Sequence, residues 1–67
     1  MIYGKIVRIL MDEKKTKIMV QKDRKKQAVE MKNDEYEALV EKNQGTFMDK
    51  EVEITRNKNG FIIKVFA

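Results

Sequence analysis

The stretch NDEYEALVEKNQ, Asn33 to Gln44, decides how the rest of the chain is read, because it has the spacing of one helix set between strand-like segments. Tyr36, Leu39 and Val40 fall at i, i+3 and i+4 and form an apolar stripe, while Asp34, Glu35, Glu37, Glu41 and Lys42 occupy the wet side. Asn33 or Asp34 is placed to cap the first turn, and the early carboxylates favour the positive end of the helix dipole. Gly45 supplies a stop, since it has no side chain to oppose a left-handed conformation. A helix of about twelve residues is marginal alone in water, so this one is expected to dock its stripe on a sheet.

Three extended segments precede the helix. Ile2 to Met11 is rich in β-branched residues but alternates imperfectly: Val7, Ile9 and Met11 share one parity, Ile2, Ile6 and Leu10 the other. A long strand that bends near Gly4 and serves two parts of a barrel gives this pattern, as does a strand buried on both faces, for instance by a second subunit. After the polar turn Asp12 to Lys15, the segment Thr16 to Gln21 continues the sheet, and a second turn at Lys22 to Lys25 leads into the third strand. Parity places Ile9 opposite Ile18, Val7 opposite Val20, Ile18 opposite Val29 and Thr16 opposite Met31, so one face stays apolar across an antiparallel meander. The other face carries Arg8, Lys17, Met19, Gln21, Lys26, Ala28 and Glu30.

Beyond the helix, Phe47 and Met48 are expected to anchor a connector to the core, and Glu51 to Arg56 reads as the fourth strand. Asn59-Gly60 is the sharpest turn signal, matching a two-residue type I′ hairpin before Phe61 to Phe66. That loop sets Ile54 opposite Val65, and a looser one from Asn57 to Gly60 sets it opposite Ile63. Ile62 and Phe66 are left on the far side in both cases.

Three meandering strands, a helix and a hairpin resemble the order of the OB-fold, a five-stranded Greek-key barrel with its helix between strands three and four. The resemblance spans the chain and rests on topology, without the aromatic motifs of cold-shock domains. The expected fold is mainly β: a small five-stranded antiparallel OB-like barrel over residues 1–67 with one helix at 33–44. An SH3-like barrel and an α+β open sheet are the alternatives.

Composition narrows function further. The 67 residues contain no cysteine and no histidine, which removes disulfides, thiolate zinc sites and the two commonest catalytic side chains. No metal ligand set, phosphate loop or convergent carboxylate pair stands out, so neither a cofactor nor enzyme activity is expected. No apolar run reaches a membrane span, and a cytoplasmic, soluble protein is the expectation. Charge is unevenly placed. Residues 1–29 carry a net +6, residues 30–53 a net −5 and residues 54–67 a net +3, within a total of +4.

If the basic outer segments meet in space, they form a footprint for a polyanion. The OB resemblance implies a cleft on strands two and three, flanked by the loops between strands one and two and between four and five. Mapped on this chain, it contains Arg8, Lys17, Met19, Gln21 and Lys26 on the sheet with Lys14, Lys15, Arg56 and Lys58 around the loops. Single-stranded DNA or RNA is the partner this implies, with Tyr3, Phe61 or Phe66 available to stack on bases. For any single residue of that face, solvation of a half-buried sheet is the commoner meaning. The competing reading is a protein-interaction module or homodimer that works through an exposed strand edge or an apolar patch including Ile6, Leu10, Met19, Ile62 and Phe66.

Overall fold

A computed structural model describes residues 1–66. The elements run β1 (Ile2–Met11), β2 (Lys15–Lys22), β3 (Lys25–Lys32), α1 (Asn33–Asn43), β4 (Glu51–Asn57) and β5 (Gly60–Val65). All five strands belong to one antiparallel sheet in the order β3-β2-β1-β4-β5. The mainly β class is therefore observed, but the sheet is not closed. Among the described residues no ladder joins the edge strands β3 and β5. The helix packs against β2, β3 and β5, so it fills the space between the two edges. No helix among the described residues is long and apolar enough to cross a membrane.

β1 is the strand on which the sheet turns. Ile2 to Lys5 pair with β4, whereas Lys5 to Met11 pair with β2, and Lys5 is shared by both ladders. The register with β2 shifts between Ile6 and Arg8, so Ile6, not Val7, lies opposite Val20. This bulge explains the broken alternation. One extra residue reverses the parity, so Ile6 on one side of it and Ile9 on the other both face the core. Ile6 is fully buried and does not belong to an exposed apolar patch. Gly4 lies so close to β2 that a Cβ there would come 2.6 Å from the Gln21 carbonyl oxygen.

The remaining meander register is as expected, with Ile18 opposite Val29 and Thr16 opposite Met31. Its inner face joins Val52, Ile54, Tyr36 and Phe47 in the core, and Leu39, Val40, Phe61, Ile63 and Val65 pack around them. The connector returns to β1, where the Asp49 N–H donates to the Ile6 carbonyl at 2.9 Å and the Ile6 N–H donates to the Lys50 carbonyl at 3.0 Å. These bonds satisfy the backbone at the bend.

Three local expectations change. The helix N-cap is Lys32 with no side-chain capping bond, because the Asn33 amide is used elsewhere. The left-handed residue at the other end is Gln44 (φ 62°), not Gly45. The Gln44 N–H donates to the Glu41 carbonyl and the Gly45 N–H to the Val40 carbonyl, both at 3.1 Å, which is the Schellman pattern one residue early. In the β4–β5 hairpin Ile54 pairs with Ile63, the register of the looser loop, and not with Val65; Asn57 pairs with Gly60, so the two-residue loop is Lys58-Asn59 and not Asn59-Gly60. Neither loop residue has positive φ, so the turn is not type I′; Gly60 alone takes it, at +121°. The Asn57 side chain accepts from the Asn59 N–H at 2.9 Å and tightens the turn.

Candidate nucleic-acid interface

The pairing registers fix which side chains share the outer face of β1, β2 and β3. Lys5, Gln21 and Lys26 form one cross-strand row, Arg8, Met19 and Ala28 the next, and Leu10, Lys17 and Glu30 the third. The bulge at Val7 is what brings Arg8 into register with Met19; without it the parity of β1 would turn one of Lys5 and Arg8 inward. Four cations thus surround a half-buried Met19 on one surface; Glu30 is the acid within these three strands, and Glu51 of β4 lies opposite Lys5. Neighbouring strands are about 4.8 Å apart and alternate residues about 6.8 Å, so the four charges lie within reach of one extended phosphate backbone.

Arg8, Lys17, Met19, Gln21 and Lys26 are therefore brought together. The two residues expected at the β1–β2 loop are placed differently from one another, Lys15 being the first residue of β2. Lys14 is exposed in the β1–β2 turn, but Lys15 is held by Glu30, its Nζ 2.7 Å from Oε2. The pair raises the Lys15 pKa and lowers that of Glu30, each mainly through this contact. Asp12 organises the same turn by accepting the Lys14 and Lys15 N–H groups at 2.8 Å, and these bonds hold its carboxyl below the usual range. Arg56 and Lys58 lie apart from the sheet face. They line a cleft of ≈ 420 Å³ at the start of α1 together with Lys32, Asp34 and Glu35, and no residue of the Arg8–Lys26 face takes part. The carboxylates there weaken its attraction for an anion.

The strongest grouping outside the expected set is at the other end of β1. Tyr3 and Phe66 stack with ring centroids 6.3 Å apart and planes inclined by 19°, and they are 44% and 52% exposed. Lys22 Nζ lies 5.5 Å from the Tyr3 centroid and Lys64 Nζ 5.6 Å from that of Phe66. Such contacts contribute about 0.5–1 kcal/mol at exposed sites, so both lysines are loosely held. Glu53 beside the Tyr3 hydroxyl raises its pKa. A cleft of ≈ 820 Å³ opens between Met1–Tyr3 and the β2–β3 hairpin, with Ile2 and Val20 among its walls and Lys22, Arg24, Lys25 and Lys26 around it. A second cleft of ≈ 350 Å³ adjoins it and includes Lys5 and Phe66; Tyr3, Lys22 and Asp23 line both. Comparison with known protein families, curated proteins and solved structures finds no match.

Sequence reasoning reads Lys22 to Lys25 only as a turn and leaves Tyr3 and Phe66 without a common location. The signal for this region is the run KDRKK, four cations in five residues, whose hairpin geometry exposes all of them. The ion pair of Lys15 with Glu30 is the one salt bridge within 4.0 Å among the described residues, so the hairpin cations carry no such partner.

Proposed function

We propose that this protein is a small single-stranded nucleic-acid-binding module and that the outer face of β1–β3 is its contact surface. The observation that carries the reading is the shared orientation of Lys5, Arg8, Lys17 and Lys26, with Glu30 already engaged by Lys15. Surface cations concentrated in this way attract a phosphate backbone by releasing its condensed counterions. The shared first strand, the strand order and the helix between β3 and β4 support an OB-like arrangement, in which the face of strands two and three is the usual binding surface. The activity is binding without catalysis, DNA and RNA being equivalent to a backbone-directed surface, and a cytoplasmic setting accords with this role.

Fluorescence anisotropy of a labelled single-stranded oligonucleotide, titrated at low and moderate salt, tests the reading. Tight binding at low salt that weakens steeply as salt rises is expected. Absence of binding at low salt, accompanied by a concentration-dependent dimer in sedimentation, would instead assign exposed Leu10, Met11 and Ile62 to a protein interface.

A further inference from the structure

We infer that Tyr3 and Phe66 form a stacking platform for unpaired bases, and that the β2–β3 hairpin beside it holds the adjoining phosphates through Lys22, Arg24 and Lys25. This rests on the polyanion reading above and deepens it by naming where bases, not only phosphates, are engaged. The platform joins residues from opposite ends of the chain. β1 brings Tyr3 beside β4, and the Phe66 N–H donates to the Glu51 carbonyl at 2.8 Å, which fixes the segment after β5 against the same strand. The two rings lie nearly parallel, and each keeps roughly half its surface open to solvent.

Charge complementarity selects the occupant. The rings are flanked by Lys22, Lys64 and Lys5, with Glu51 and Glu53 of β4 also beside them, and the hairpin adds Arg24, Lys25 and Lys26 against Asp23. An aromatic surface with cations at its rim matches a base attached to an anionic backbone, and stacking tolerates any base because each has a π-face. Lys22 covers Tyr3 in the free protein through a single flexible contact. An arriving base displaces that ammonium, which then remains within reach of the base's own phosphate. The preference for single strands follows from access. Duplex bases are already stacked and paired, and cannot lie flat on these rings without being unpaired. Glu51 and Glu53 on β4 lie opposite Lys5 and Tyr3, between them and Lys64 of β5, and repel phosphates on that side, so the strand leaves the platform toward β2 and β3 and reaches Lys26, Arg8 and Lys17.

Tyrosine emission tests this directly. The chain has two tyrosines and no tryptophan, so in Tyr36→Phe the emission reports Tyr3 alone. Titration with a short oligo(dT), corrected for absorbance, is expected to quench that emission progressively to saturation, since a base stacked on the ring is in direct contact with it. Tyr3→Leu and Phe66→Leu are each expected to weaken binding about tenfold with the salt slope unchanged, while Lys22→Ala with Lys25→Ala lowers the slope by about 1.4. Circular dichroism melts establish that each variant folds, and the quenching result stands without the leucine variants. Binding with unquenched Tyr3 emission, or leucine variants that bind like the parent, overturns the platform and leaves the polyanion reading standing. A parent protein that binds no oligonucleotide at low salt overturns both.

Discussion

The buried Thr16 hydroxyl donates a hydrogen bond of 2.8 Å to the side-chain oxygen of Asn33, seventeen positions away. The Asn33 amide then donates to the Asp12 carbonyl at 2.8 Å. One side chain at the start of α1 therefore fastens the interior of β2 and the β1–β2 turn. Asn33→Ala leaves a fully buried hydroxyl without this partner and is expected to cost about 1–3 kcal/mol. Thr16→Val should cost less, because it removes the buried polar group itself. Urea denaturation of both single variants and the double variant measures this, and a double-mutant cycle with no coupling would contradict the arrangement.

Gln44 occupies a left-handed position that disfavours a side chain (φ 62°). Gln44→Gly is expected to stabilise the fold by about 0.5–1 kcal/mol, or raise Tm by about 2–8 °C. The exposed glutamine side chain is not part of the core, so thermal melts isolate the backbone effect.

Gly4 has the opposite sensitivity. A methyl group there meets the Gln21 carbonyl oxygen and, at 2.8 Å, Val20 Cγ1, on a backbone with φ +153°. Gly4→Ala is expected to destabilise the fold by about 2–4 kcal/mol by separating β1 from β2 at the bend. A melt unchanged from the parent would show that the close approach is not needed.

Acid should loosen the β1–β2 turn. Asp12 and Glu30 have pKa values lowered in the folded protein, by backbone N–H groups and by Lys15 respectively. Depressed carboxyl values stabilise the fold above the unfolded pKa, about 4, and that contribution is lost as pH falls through the folded values. Urea midpoints are expected to hold steady near neutrality and to decline below about pH 4. Asp12→Ala should flatten that decline, and an identical acid limb in the variant would contradict the assignment.

The meander was legible from sequence because Thr16, Ile18, Val29 and Met31 keep a common parity, which leaves few registers that bury them together. The bulge was not, since apolar residues occur at both parities of β1 and only the position of β4 shows why Ile6 must turn inward. The expected barrel closure is not observed: closure depends on how far the whole sheet curves, which the residue pattern of one strand does not set. The cationic rows followed from the same parity as the core. The Tyr3–Phe66 pair did not, because rings 63 positions apart are joined only by the β1–β4 ladder and the bond from Phe66 to Glu51. The Asn59-Gly60 signal was real but displaced by one residue, as turns with glycine inside the loop and turns with glycine closing it use similar residues.

The salt dependence of oligonucleotide binding, compared between two sets of substitutions, tests the central claim most directly. The Arg8→Ala, Lys17→Ala, Lys26→Ala triple variant is expected to lower the slope of log affinity against log salt by about 2, near 0.7 for each phosphate that is no longer neutralised. Arg56→Ala with Lys58→Ala, in the separate cleft at the start of α1, should leave the slope nearly unchanged. A slope that survives the triple substitution and collapses in the Arg56 and Lys58 double variant would place the polyanion at the other end of the molecule and contradict the account.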